Sequence, residues 1–166
     1  MSTLKVAPLT AETFADFGDV IETSGKQSFE INYGMADRYH ALAKVDTGTE
    51  GGYPVISMVD SKKYDMPQKV KIVERHPLGS QAFIPRDKTP FIVVVGKPGD
   101  KIEASQLKAF ITNGEQGINY NPGTWHGLLL TPFAAMSFIC VDRDGEGENC
   151  EEFHFPDQDQ LTLGMN

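Results

Sequence analysis

A mainly β fold, a sandwich or barrel with one short helix near its N-terminus, is what the sequence predicts, and three observations predict it. From Tyr53 onward, short runs rich in Val, Ile and Phe recur at roughly 8–12-residue intervals, closed by Pro, Gly or Asn-Gly. Glycine and proline together make up about 16% of the chain, against roughly 12% in an average protein. No repeat of roughly 20–50 residues and no low-complexity tract is visible, which excludes solenoids and propellers.

In chain order, LKVAPLTAETFADFGDVIE opens with a short strand. Behind Pro8, Thr10 is placed to cap a helix, with Glu12 and Phe14 following and Gly18 stopping it. The β runs are VISMVD (55–60), QKVKIVERH (68–76), QAFIP (81–85), FIVVVGK (91–97), LKAFITN (107–113), GINYN (117–121), the stretch 124–130 and MSFICVDR (136–143). Alternation along QKVKIVERH puts Val70, Ile72, Glu74 and His76 on one face and Lys71, Val73 and Arg75 on the other. An inner face that turns polar at one end is the mouth of a pocket, not a core. Asn113-Gly114 reads as a type I′ hairpin turn, and Gly79 and Gly117 as turn residues needing positive φ.

The 166 residues make one domain's worth of chain, 1–166. That length allows roughly 70% of the unfolded surface to be buried, so the core needs no staples. Apolar residues at 40% and charged residues at 23% suit a globule rather than a disordered chain. Fifteen Lys plus Arg against 23 Asp plus Glu give a charge of −8, a field that repels phosphate backbones and disfavours nucleic acid. The acidic stretch from Asp142 to Glu152 lacks EF-hand spacing and reads as a solvated loop, with His154 a surface residue pairing with it. The opening MSTLKVAPLTAETF lacks the apolar run of a secretory signal. FIVVV at 91–95 and GLLL at 127–130 fall far short of the roughly 20 residues that cross a bilayer, which predicts a cytoplasmic protein without a membrane partner. Two cysteines are no disulfide framework, and Cys140 reads as a small buried hydrophobe.

Two histidine-bearing segments stand about 50 residues apart, each beside a turn. One is Glu74-Arg75-His76-Pro77-Leu78-Gly79-Ser80-Gln81, the other Gly117-Ile118-Asn119-Tyr120-Asn121-Pro122-Gly123-Thr124-Trp125-His126. They resemble the paired motifs of the cupin superfamily, His-x-His-x4-Glu and a second ending Gly-x2-His, which implies a cupin-like double-stranded β-helix, or jelly-roll barrel. The resemblance lays the first family His on Glu74, the second on His76, the Glu on Gln81 and the last His on His126. It also shows two departures, His to Glu and Glu to Gln, and a displaced Pro in Pro122-Gly123. Two histidines, a carboxylate and a neutral amide hold a divalent ion more weakly than three histidines and a carboxylate. The set Glu74, His76, Gln81 and His126 could hold Ni²⁺, Mn²⁺ or Zn²⁺ loosely, or hold none and bind substrate directly.

Longer strings narrow the resemblance. INYGMADRYHALA (31–43), ERHPLGSQAFIP (74–85), AFITNGEQGINY (109–120) and the Pro-Gly-Thr-Trp-His turn resemble the ureidoglycolate lyase family over nearly the whole chain. The resemblance implies (S)-ureidoglycolate split into glyoxylate and urea in allantoin degradation, a homodimer, and a nickel-type divalent ion. Such a reaction needs a base or metal for the substrate hydroxyl, a cation for its carboxylate, and a donor for the departing ureido group. His76 and His126 suit the first task, with Glu74 a ligand or the group that orients a histidine. Arg38 and Arg75 are the choices for the second; alternation turns Arg75 away from His76 and favours Arg38, which a partner subunit could supply. Gln81 and Asn32 suit the third. Tyr33, Tyr39, Tyr120 and Trp125 are candidates to wall the pocket, and His40 lies in the same family string without a visible partner. The rival functions are an amidohydrolase that releases ammonia from the same substrate, and a non-catalytic cupin-like module that binds an organic acid.

Overall fold

The computed structural model describes residues 2–164. Thr3–Leu4 (β1) and Val6–Pro8 (β2) lead into one helical turn, Ala11–Phe14 (α1), and then Gly18–Ile21 (β3). An arm follows, built from Phe29–Ile31 (β4) and Ala36–Arg38 (β5). Next come Tyr53–Ser61 (β6), Gln68–Val70 (β7), Ile72–Arg75 (β8), Gln81–Pro85 (β9) and Ile92–Gly96 (β10). Lys108–Ile111 (β11), Gly117–Tyr120 (β12), Trp125–His126 (β13), Met136–Asp144 (β14), Glu151–His154 (β15) and Leu161–Leu163 (β16) complete it.

The helix forms where the cap predicts it. Thr10 has extended backbone and its hydroxyl accepts from the Thr13 N–H, while the Thr13 hydroxyl accepts from the Thr10 N–H. The helix ends after one turn because Phe14 and Phe17 are both drawn into the core.

Two sheets face each other. One runs β15-β8-β13-β10-β11-β2 and the other β3-β12-β9-β14-β6. From β8 to β15 the chain crosses between them at every step except the β10–β11 hairpin, which is the cupin-like jelly-roll winding. Phe91, Val93 and Val95 meet Phe83, Ile118, Phe138 and Cys140 between the sheets, with Phe14 and Phe17 closing one end. Ile92 and Val94 point the other way, into a second cluster with Val73, Trp125 and Leu163. That cluster lies beneath a third sheet, β1-β16-β7. Both faces of β10 are therefore covered, and FIVVV reads as an unbroken apolar run for that reason. Full burial of each such side chain contributes about 1.5–3 kcal/mol.

Several expectations are corrected by this packing. QKVKIVERH is two strands, because Lys71 breaks it between β7 in the third sheet and β8 in the six-stranded one. Val70 therefore joins Val73 in the outer cluster, while Glu74 keeps the inner face. Asn113-Gly114 is no hairpin, since the strands it joins, β11 and β12, lie in different sheets. Asn113 lacks the positive φ a type I′ turn needs, and its side chain accepts the Glu115 N–H, an Asx turn. Gly79 and Gly117 also lack positive φ; close approach is what excludes a side chain there. A Cβ would stand 2.9 Å from the Asp46 carbonyl oxygen at Gly79 and 2.9 Å from the Phe83 carbonyl oxygen at Gly117. Of the stretch 124–130, only Trp125 and His126 form a strand. Among the described residues, no helix is long and apolar enough to cross a membrane.

Candidate active site

Strand register brings the two motif segments together. β13 pairs antiparallel with β8 so that His126 lies directly opposite Glu74, and with β10 so that it lies opposite Val95. All three share the inner face. His76 follows β8 by one residue, and its backbone carbonyl accepts the Gly123 N–H at 2.9 Å, tying the Pro122-Gly123 turn to the first segment. The result places ligand atoms of Glu74, His76 and His126 all within 4.8 Å of one another.

Each imidazole is fixed by its far nitrogen. His76 Nδ1 lies 2.6 Å from the Asn149 carbonyl oxygen and His126 Nδ1 lies 3.2 Å from that of Gly127. A carbonyl oxygen only accepts, so both Nδ1 atoms carry the proton and both Nε2 atoms turn to the site. The rings stand 5.2 Å apart, and Tyr120 stacks on His126 at 4.3 Å with its plane only 2° away. Glu74 Oε1 is 3.6 Å from His76 Nε2, an ion-pair distance too long for a hydrogen bond. Across the barrel, the Gln81 side-chain amide donates to Asp142 Oδ2 at 3.1 Å, which leaves Gln81 Oε1 free. His76 Nε2, His126 Nε2 and Gln81 Oε1 are buried and without a hydrogen-bond partner among the described residues.

The electrostatics divide the two histidines. Burial, followed by the neighbouring His76, pushes His126 down to about 4, so its ring is neutral at pH 7. Burial also works against the charged form of His76, but the Glu74 carboxylate, the Asn149 carbonyl and Asp142 outweigh it and raise the pKa. Glu74 is held below the usual carboxylate range by His76, against its own desolvation. Glu74 and His76 thus form a charged pair beside a neutral imidazole.

With the His76 proton released, the Nε2 atoms of His76 and His126, Gln81 Oε1 and the Glu74 carboxylate form a donor set suited to a divalent cation, since isolated buried polar atoms are costly unless something binds them. Glu74 and His126 line a cavity of about 620 Å³, together with Phe83, Val59, Leu129 and the 60–64 segment, among others. That is ample for a small organic acid.

The sequence model of the ureidoglycolate lyase family matches residues 1–162. A ureidoglycolate lyase of Pseudomonas aeruginosa strain LESB58 is 49% identical over 163 residues, 98% of this chain and 96% of the relative. That of Pseudomonas syringae pv. tomato strain DC3000 is 45% identical over 166 residues, 100% of this chain and 98% of the relative. The chain belongs to the ureidoglycolate lyase family. Among solved structures, a dTDP sugar isomerase from Desulfovibrio desulfuricans G20 aligns at a TM-score of 0.43 and 14% identity, covering 84% of this chain and 82% of its own.

In this member of the ureidoglycolate lyase family, not every residue singled out by sequence reaches the cavity. Glu74 and His126 line it, His76 clusters with them, Tyr120 stacks on His126, and Gln81 lies opposite Tyr120 on the neighbouring strand. Arg75 does not reach it: it lies on the opposite face of β8, with its guanidinium 2.7 Å from Glu151, 3.3 Å from Asp100 and 5.1 Å over the Trp125 ring. Trp125 is buried in the outer cluster and donates to the Gly99 carbonyl at 2.9 Å, away from the cavity that Glu74 and His126 line. Asn32, Tyr33, Arg38 and His40 are exposed on the arm, whose strands β4 and β5 pair only with each other. Tyr39 is half-buried beside them. His154 is a surface residue 3.3 Å from Glu152, and Cys140 is buried, both as expected.

Sequence reasoning missed Asn149, Asp142 and Cys150. Asn149 bridges the turn after β8, its carbonyl on His76 and its side chain on the Leu78 N–H at 2.8 Å. Asp142 fixes Gln81. The Cys150 thiol lies 3.8 Å from Glu74 Oε2. All three lie in a stretch rich in Asp and Glu that reads as solvated, and no local signal separates them from it.

Proposed function

We propose that the chain is an enzyme that cleaves (S)-ureidoglycolate into glyoxylate and urea, a carbon–nitrogen lyase of purine-nitrogen catabolism. Membership of the ureidoglycolate lyase family supports the substrate, and the convergence of Glu74, His76 and His126 inside 4.8 Å supports the chemistry. In HO–CH(COO⁻)–NH–CO–NH₂ the hydroxyl loses its proton, its oxygen pair forms the aldehyde C=O, and the C–N bond pair leaves with the ureido nitrogen. That nitrogen takes up one proton, so the reaction is balanced without water.

His126, neutral and with its Nε2 lone pair facing the cavity, accepts the hydroxyl proton. His76, favoured in its charged form beside Glu74, donates to the departing nitrogen. Gln81 Oε1, left unpartnered while the amide N–H donates to Asp142, accepts from the ureido N–H groups. Tyr120 keeps water from one side of His126.

A divalent ion also suits these donors, with Glu74, His76 and His126 to hold it and Gln81 beside them; Ni²⁺ is the ion the family resemblance implies. When bound, such an ion would acidify the substrate hydroxyl. The same lone pairs serve ion or proton, so activity lost on chelation and restored by Ni²⁺ makes His126 a ligand, and activity retained makes it the base.

A homodimer is part of the proposal. Phe29, Tyr33 and Met35 are exposed on the arm, and Ile56 and Met58 on edge strand β6, which supports coverage by a second copy able to bring Arg38, Asn32 and His40 near a site. A cytoplasmic location fits two cysteines that are free thiols. The deciding experiment counts products from (S)-ureidoglycolate with urease absent. Equal urea and glyoxylate are expected; ammonia in place of urea would assign the amidohydrolase, and saturable glyoxylate binding without turnover the binding module.

A further inference from the structure

The proposed substrate and one of its products are carboxylates, yet the reaction centre contributes Glu74, itself an anion. His76 beside it offsets that one charge at most, so an anionic ligand calls for a further cation nearby. The cations of the surrounding strands are already engaged. Arg75 is tied to Glu151 and Asp100 on the far face of β8, and Arg143 donates to the backbone carbonyls of Thr47 and Glu146. Arg38 is on the arm and does not line the cavity. Within the cavity that Glu74 and His126 share, the cationic side chains are Lys62 and Lys63.

Their position is built rather than incidental. Thr131 is fully buried, and it clamps the segment that carries them. Its hydroxyl donates to the Lys62 carbonyl at 2.7 Å and lies 3.1 Å from the Ser61 hydroxyl, while its carbonyl accepts the Tyr64 N–H at 3.0 Å. The backbone from 61 to 64 is therefore a fixed ledge at the cavity rim. Both lysines are exposed from that ledge, and neither makes an ion pair among the described residues, although Asp60 also lines the cavity. A compact ammonium on a flexible stem suits a small carboxylate that must arrive and leave at each turnover.

We propose that Lys62 and Lys63 are the carboxylate anchor of this site, positioning residues that hold the acid end of the substrate above Glu74 and His126. The assignment rests on the functional reading above and moves the carboxylate role from the arm to the rim of the same protomer's cavity.

The test measures kinetics and product inhibition for Lys62→Gln, Lys63→Gln, the double variant, the Lys62→Arg/Lys63→Arg double variant and Arg38→Gln. For the double Gln variant, KM and the glyoxylate inhibition constant rise about tenfold or more, the loss expected for one charge-assisted contact. Inhibition by urea, which has no carboxylate, stays unchanged, kcat falls less than threefold, and the Arg pair restores most of the affinity. Unchanged glyoxylate inhibition in the double Gln variant overturns the proposal, and so does the same loss in Arg38→Gln with the lysine variants normal. If the wild type releases no urea, the functional reading fails instead. Glyoxylate titrated calorimetrically into the wild type and the double Gln variant then still decides the anchor, tighter binding by the wild type supporting it and equal binding overturning it.

Discussion

His76 and His126 are the same residue type 5.2 Å apart, and their surroundings drive them in opposite directions. His126 is enclosed by Tyr120 and the sheet; His76 has Glu74 and the Asn149 carbonyl. The difference carries a stability signature in metal-free protein. Between about pH 4 and pH 6.5 the unfolded chain binds a proton at residue 126 that the folded chain refuses. Stability from this residue is thus fully present above pH 6.5 and lost as pH falls, with a limiting slope of about 1.4 kcal/mol per pH unit. His76, raised instead, works in the opposite sense. Urea denaturation across this range is expected to show a steeper acid loss for the wild type than for His126→Gln. Parallel curves would mean that His126 is not buried neutral. At this scale Glu74 and His76 were legible from alternation along one strand, and His126 from the family motif it resembles. Asn149, Asp142 and Cys150 were not, because each acts through one contact made from a distant strand or loop.

Single elements show why a pattern of two can mislead. Alternation alone made 68–76 one strand, but the third sheet pulls Gln68–Val70 into another layer and the break falls at Lys71. Parity set Val73 correctly on the face opposite Glu74 but misplaced Val70, which lies in the other sheet and joins the outer cluster. The glycines carry a similar lesson. Gly117 looked like a turn residue but sits in a strand where β12 approaches β9 too closely for a side chain. Gly117→Ala forces a methyl against the Phe83 carbonyl and the Ile84 backbone. It is expected to cost about 1–3 kcal/mol in chemical denaturation. A change within experimental error would show that the two strands separate freely.

For the molecule as a whole, regularly spaced apolar runs and the two histidine segments made the two-sheet winding legible. The arm at 29–38 was not, since its strands have no apolar alternation and pair only with each other. Its exposed Phe29, Tyr33 and Met35, with Ile56 and Met58 on β6, form apolar surface of the kind that a second subunit covers. For the proposed homodimer, Ile56→Lys with Met58→Glu is expected to lower the mass in sedimentation equilibrium from that of two chains to that of one; an equal mass for wild type and variant would overturn this contact.

The most direct test of the three-residue centre is the turnover number on (S)-ureidoglycolate for Glu74→Gln, His76→Gln and His126→Gln, each first shown by circular dichroism to be folded. Each is expected to fall about 100-fold or more, the scale of losing a positioned acid, base or ligand. Rates like the wild type's in any two of the three would contradict the account.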